Sequence, residues 1–185
     1  MDKFFERQYA LELPKLRHGD NVDHFDIDSS FFEAFEFSPV NEGEVAVDVT
    51  ITKLETHLDA KFEFNGHIVL NCDRCMEPYP HVLNSTRRVI FAYDEDLEFD
   101  TEEVILIEHN HSMLYLSKDL YDFVLLEIPI RKVPHPSVHI CPPNVLEILG
   151  LNPDGTEKVV EAEEEDDEPV DPRWAALKNL KDKEK

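Results

Sequence analysis

Residues 57–72 read HLDAKFEFNGHIVLNC, and this stretch decides how the rest of the chain is interpreted. Apolar side chains occupy every second position on both sides of Asn65-Gly66. That period is typical of β-strands with one buried face. Asn-Gly between two alternating segments is typical of a hairpin turn. The stretch therefore predicts two antiparallel strands joined at Asn65-Gly66.

The apolar pattern also predicts the register of this hairpin. A two-residue turn would set Phe62 opposite Val69 and would divide the apolar positions between two faces. A three-residue loop with Gly66 in the left-handed conformation sets Phe62 opposite Ile68 and keeps the apolar positions on one face. We therefore expect the three-residue loop, which also pairs Ala60 with Leu70 and Leu58 with Cys72.

Further strands are predicted on both sides of this hairpin. Apolar residues alternate from Val45 to Ile51, and residues 82–93 are rich in β-branched and aromatic side chains. A short strand is predicted over 104–107. These segments predict a mostly antiparallel β-sheet.

Two helices are predicted beside the sheet. Ser117 is placed to cap a helix that must end near Pro129. Its apolar stripe consists of Leu120, Tyr121, Val124, Leu125 and Ile128. A shorter helix is predicted to begin at Ser29-Ser30. The predicted fold class is α+β, with one main helix packed on the sheet.

Charge limits the possible functions of the chain. The 185 residues include 41 Asp and Glu against 18 Lys and Arg, for a formal net charge of −23. A surface of that sign repels phosphates and disfavours a large direct contact with nucleic acid. The five glycines leave little material for phosphate-binding loops, and the sequence carries no nucleophile, zinc-protease or dinucleotide motif. We predict a protein that is not an enzyme and has no small-molecule substrate.

Composition divides the chain into three parts. Residues 1–151 are predicted to form a β-rich globular domain, and residues 152–170 an acidic flexible linker. Residues 171–185 are predicted to form a short amphipathic helix, with Trp174, Leu177 and Leu180 on its apolar side. Such a helix either packs back on its own domain or docks into a groove of a partner.

The beginning of the chain and its longest apolar stretch bear on localisation. The N-terminal segment lacks the continuous apolar region of an export signal. Residues 89–93 form the longest unbroken apolar stretch, far below the roughly 20 residues of a membrane helix. We expect a cytoplasmic protein without a membrane partner.

Three cysteines suggest a metal site. Cys72 and Cys75 have the two-residue spacing that lets two thiolates reach one tetrahedral zinc ion. Cys141 and a histidine are candidates for the remaining ligands, and the histidines considered are His139, His135 and His81. His139 is the preferred one. The alternative interpretation is a buried strand residue at Cys72, a turn residue at Cys75 and exposed histidines.

Several of these segments resemble a known family. The segment Cys72-Asp73-Arg74-Cys75-Met76-Glu77-Pro78, the segment IPIRKVP at 128–134, Cys141-Pro142-Pro143 and DPRWAALKNL at 171–180 resemble the large ribosomal RNA subunit accumulation proteins, the YceD-like family. The resemblance covers Val45 to Leu180. It implies a non-enzymatic ribosome-biogenesis factor that supports accumulation of large-subunit (23S) ribosomal RNA.

Three hypotheses on mechanism follow. The acidic charge favours binding of a basic ribosomal protein or assembly factor, and the candidate contact residues are Arg74, Arg131, Trp174, Leu177 and Leu180. Direct RNA binding is an alternative, through Arg74, Arg87, Arg88, Arg131 and Lys132, unless these side chains form ion pairs with the many acids. A third hypothesis is a structural or regulatory protein that binds one zinc ion through Cys72, Cys75, Cys141 and a histidine.

Overall fold

A five-stranded β-sheet organises the chain. The computed structural model of the protein describes residues 3–93, 103–108, 112–152 and 156. Its elements are α1 (Lys3–Gln8), β1 (Ala10–Glu12), a 3-10 turn (Leu13–Lys15), β2 (Gly19–Ile27), α2 (Ser29–Glu33), β3 (Gly43–Lys53), β4 (His57–Asn71), β5 (Pro78–Ala92), β6 (Val104–Leu106), β7 (Met113–Tyr115), α3 (Ser117–Leu126) and α4 (Pro143–Ile148).

The sheet has the order β2-β3-β4-β5-β6, and β1 pairs with β7 in a separate two-stranded sheet. Strands β2 to β5 are antiparallel neighbours, whereas β6 lies parallel to β5. The predicted α+β class with a mostly antiparallel sheet is confirmed. The predicted strands over 45–51, 82–93 and 104–107 correspond to β3, β5 and β6.

The predicted hairpin at Asn65-Gly66 is wrong, because β4 is one continuous strand of 15 residues. The period of two keeps its phase across Asn65 and Gly66, so the apolar positions on both sides already share one face of a single strand. Gly66 pairs with Val45 of β3 and Leu83 of β5. A Cβ atom at Gly66 would lie 2.1 Å from the Glu44 carbonyl oxygen. Gly66 therefore permits a close approach of two strands and makes no turn.

The core lies between the inner face of this sheet and the helices. The Phe123 ring of α3 lies 5.3 Å from the Phe62 ring and 6.2 Å from the Phe64 ring, both on β4. Phe31 of α2 is fully buried, and Phe35 just after that helix stacks on Tyr121 of α3 at 3.8 Å. Aromatic packing therefore fixes α2 and α3 on the same face of the sheet.

Both predicted helices are present, but Ser117 is not the N-cap of α3 as predicted. The N-cap of α3 is Leu116, and no side chain caps this helix. Ser117 is itself the first helical residue and is buried. Asp28 caps α2, since its carboxylate accepts hydrogen bonds from the backbone N–H groups of Ser30 and Phe31.

The predicted linker and tail concern residues that lie mostly outside the described part of the chain. Apart from Asn152 and Thr156, residues 152–170 are outside it, and so are residues 171–185 with Trp174, Leu177 and Leu180. Among the helices that the structure describes, none combines the length and the apolar character required to cross a membrane.

Candidate metal centre

The structure brings Cys72, Cys75, His139 and Cys141 together, with all four potential ligand atoms within 4.8 Å of one another. The Cys72 and Cys141 sulfurs are 3.7 Å apart, and the Cys75 sulfur lies 3.0 Å from His139 Nε2. A tetrahedral zinc with Zn–S bonds of about 2.3 Å has S···S edges of about 3.8 Å. The arrangement therefore fits a Cys3His site after small side-chain rotations.

The first two cysteines lie on the turn between β4 and β5. The Cys72 N–H donates a hydrogen bond to the Glu77 carbonyl, and the Met76 N–H donates one to the Cys72 carbonyl. Met76 adopts the left-handed conformation with φ 61°. These backbone bonds close the turn and direct both thiols to the same side of it.

The other two ligands come from the loop between α3 and α4. The backbone N–H groups of Val138 and His139 both donate to the His135 carbonyl, at 2.9 and 3.2 Å. Cys141 is followed by Pro142 and the first residue of α4. This turn presents His139 and Cys141 toward the β4–β5 turn.

The two loops are also joined without any metal. The Asp73 N–H donates to the Lys132 carbonyl at 2.9 Å, and the Lys132 N–H donates to the Asp73 carboxylate at 2.7 Å. The Lys132 ammonium lies 3.4 Å from the same carboxylate. Sequence reasoning missed this contact, although an acid between two candidate ligands was a visible signal. These bonds set the distance between the two halves of the cluster.

The thiols differ in their protonation equilibria. Burial raises the pKa of the Cys72 thiol, but hydrogen bonds from the backbone N–H groups of Arg74 and Cys75 outweigh it, and the net effect lowers that pKa. Burial raises the pKa of the Cys141 thiol to about 12, and hydrogen bonds with Cys75 and Cys72 add to the effect. Backbone N–H donors around a cysteine sulfur favour the thiolate that a metal requires.

His139 is the histidine that joins the cluster. Its Nε2 lies 4.0 Å from a Glu77 carboxylate oxygen, and its ring lies 6.2 Å from the Tyr79 ring. His135, considered as an alternative ligand, instead has its Nδ1 2.9 Å from the Ser137 hydroxyl. His81 is likewise not among the clustered residues.

Arg87 and Arg88, two of the basic residues considered for RNA binding, do not lie on one face. Arg87 and Arg88 are consecutive on β5, so they point to opposite faces of the sheet. Arg87 pairs with Glu127 at 2.6 Å, and Arg88 donates hydrogen bonds to both carboxylate oxygens of Asp59, at 2.7 to 3.2 Å. Ion pairing, the alternative interpretation of these two arginines, is what the structure shows.

The candidate partner-contact residues fall into two groups. Arg74 lies half-buried between the first two cysteines, and Arg131 is exposed next to Lys132. Both are therefore near the cluster. Trp174, Leu177 and Leu180 lie outside the described residues.

Comparison with known proteins identifies a family that the chain matches. A family model described as "Large ribosomal RNA subunit accumulation protein YceD" matches residues 60–181 of the chain. A search of curated proteins and a search of solved structures each found no match. The matched range spans about two thirds of the chain and includes all four clustered residues.

Proposed function

We propose that this chain, which belongs to the YceD family of large ribosomal RNA subunit accumulation proteins, supports accumulation of large-subunit ribosomal RNA. It does so by binding a basic ribosomal protein or assembly factor. The family role concerns the large ribosomal subunit, and the family description names accumulation of an RNA rather than a reaction. The partner and the mode of binding are our proposal.

The charge on the outer face of the sheet supports a basic partner. The outward positions of β2 to β5 carry six acids, and their Lys and Arg residues are limited to Lys61 and Arg88. These acids are Asp20, Asp26, Glu44, Asp48, Asp59 and Glu63. Both cations pair with acids of the same face, Lys61 with Glu63 and Arg88 with Asp59. This face repels RNA phosphates and attracts positively charged polypeptides.

Affinity purification of the full chain from cells at low and moderate salt tests this proposal. We expect a basic large-subunit protein or assembly factor to be recovered, to remain after ribonuclease treatment and to be released as salt screens the contact. Recovery of ribosomal RNA without any protein would contradict it.

The Cys3His cluster favours a second, compatible function, which is the binding of one structural zinc ion. Four protein ligands leave no open position for a substrate, and this is the arrangement of structural zinc sites. Because two ligands come from each loop, a bound ion would crosslink the β4–β5 turn to the loop before α4. We propose Cys72, Cys75, His139 and Cys141 as its ligands.

Metal analysis of the purified protein, reconstituted with zinc under reducing conditions, tests this second function. We expect about one zinc per chain, and loss of most of it in His139→Ala. His135→Ala is the matched control, because it removes a histidine from the same loop but not from the cluster. A wild-type protein without zinc, or equal losses in the two variants, would refute the site.

A further inference from the structure

A cleft of about 330 Å³ lies beside strands β6 and β7. Its walls are mostly apolar and include Phe91, Ile105, Leu106, Leu114 and Tyr115. Leu106 and Tyr115 are about half exposed, at 49% and 46%. The cleft is therefore open to solvent and offers apolar surface to a ligand. We call it the Asp119 cleft.

The charged residues that line the Asp119 cleft are both acidic, Glu108 and Asp119. Asp119 lies in the first turn of α3 and is half-buried. Its carboxylate has no hydrogen bond or ion pair within the described residues. Burial, with a smaller contribution from Asp122, raises the pKa of this carboxyl to about 6. A cation placed in the cleft would compensate the desolvated carboxylate.

The strands beside the cleft suit an extended ligand. In the described part of the chain, β6 has a hydrogen-bonded neighbour on one side only, and so has β7. An edge strand leaves a row of backbone N–H and C=O groups to which an extended segment can pair. Apolar walls next to a carboxylate also match lysine and arginine, which have an aliphatic stem and a charged end.

We propose that the Asp119 cleft binds an extended basic polypeptide segment, with one Lys or Arg side chain placed along the apolar walls and its charge on the Asp119 carboxylate. This inference rests on the proposed function, since it adds to the acidic outer face of the sheet a cleft where one segment of the basic partner docks. Phosphate groups of RNA are excluded from this position by the two carboxylates, because charges of like sign repel.

The experiment is a binding titration of the full chain with a short fluorescent peptide of alternating lysine and serine, in about 150 mM NaCl. We expect Asp119→Asn to weaken binding about tenfold, because a charge-assisted contact becomes neutral. Asp122→Asn is the matched control, since Asp122 is exposed on the same helix. We expect it to change the affinity less than about twofold. Melting curves of both variants verify that they fold.

Equal weakening by the two variants would overturn the inference, because it would indicate diffuse charge attraction. An unchanged affinity of Asp119→Asn would overturn it as well. Affinity purification separates this outcome from the proposed function. If Asp119→Asn recovers the basic partner as well as the wild type does, the cleft is not the docking site and the proposed function still holds. If the wild type recovers no basic protein, the proposed function itself fails.

Discussion

At the residue scale, Gly66 lies on β4 where the backbone of β3 leaves no room for a side chain. A Cβ atom there would meet the Glu44 carbonyl oxygen and would lie 2.7 Å from Val45 Cα. Both neighbours are backbone atoms in the middle of a sheet and cannot rotate away. The only way to accommodate a side chain is therefore to separate the strands.

We expect Gly66→Ala to lower the free energy of unfolding by about 3 kcal/mol or more, because the two strands must move apart. Gly19→Ala is the matched control, since Gly19 has φ 87° but no atom within 4 Å of its Cβ position. Gly19→Ala should lower the free energy of unfolding by only about 1–2 kcal/mol, because only the left-handed backbone conformation opposes it. Urea unfolding measures both, and equal losses would show that close approach is not the reason for Gly66.

The raised pKa of Asp119 predicts that the stability of the protein depends on pH. Its folded-state pKa of about 6 lies above the model-compound value of 3.8, so the ionised carboxylate opposes folding above about pH 6. This unfavourable contribution disappears as the pH falls from 6 toward 4. We expect Asp119→Asn to stabilise the protein near pH 7 by about 1 kcal/mol, a value reduced for its partial exposure.

Melting curves of Asp119→Asn and wild type at several pH values measure this effect. The gain should shrink progressively below about pH 6 and be absent near pH 4. Asp122→Asn should show no comparable gain, because Asp122 is exposed. A variant less stable than the wild type near pH 7 would mean that the carboxylate has a partner within the protein.

At the scale of elements, an ion pair joins the sheet to the C-terminal end of α3. Arg87 on β5 contacts Glu127, the C-cap residue of α3, and both side chains are less than a third exposed. Arg88, the next residue on β5, contacts Asp59 on the outer face and is 46% exposed. Arg87 and Arg88 therefore form ion pairs in different environments, the first partly buried and the second more exposed.

We expect Arg87→Ala to destabilise the protein by about 2 kcal/mol, because it leaves Glu127 half-buried without its partner. Arg88→Ala should destabilise the protein by less than about 1 kcal/mol, as is typical of the loss of an exposed ion pair. Chemical denaturation of the two variants measures the difference. Similar losses would indicate that the Arg87 pair contributes no more than a surface contact.

The two loops of the candidate metal centre form the next unit at this scale. The bonds between Asp73 and Lys132 already join them, so a bound ion would strengthen an existing connection. We expect a chelator to lower the melting temperature of the zinc-loaded protein and to increase amide exchange in residues 72–77 and 135–141. Exchange in the middle of β3 should not change. A uniform increase across the sheet would instead indicate that the whole fold depends on the metal.

At the scale of the whole molecule, the net charge of −23 acts on stability and on binding in opposite directions. Self-repulsion destabilises the compact state, and salt screens it. We expect the melting temperature of the full chain to rise between about 20 and 500 mM NaCl near pH 7, while binding of a basic partner weakens. The rise should be smaller near pH 4, where many carboxylates are protonated. A melting temperature independent of salt would contradict this account.

The sequence by itself determined the properties that are local or additive. Alternation of apolar residues identified β3 and both halves of β4 with their buried faces, because the period of a strand is a property of the segment alone. Net charge is also available from the sequence, because it is a sum over residues. The two-residue spacing of Cys72 and Cys75 is local as well, and it places both cysteines on one turn. The family resemblance was likewise carried by short segments, and the family match confirmed it.

Only the tertiary structure decided which segments meet. The apolar side chains that alternate on both sides of Gly66 were compatible with a hairpin and with one long strand. Pairing with β3 on one side and with β5 on the other selected the long strand. Cys141 lies 69 residues from Cys72, and no local pattern sets the distance between their sulfurs. The partners of Arg87 and Arg88 and the walls of the Asp119 cleft also come from distant segments. Such contacts depend on the free energy of the whole packed chain, which no single segment contains.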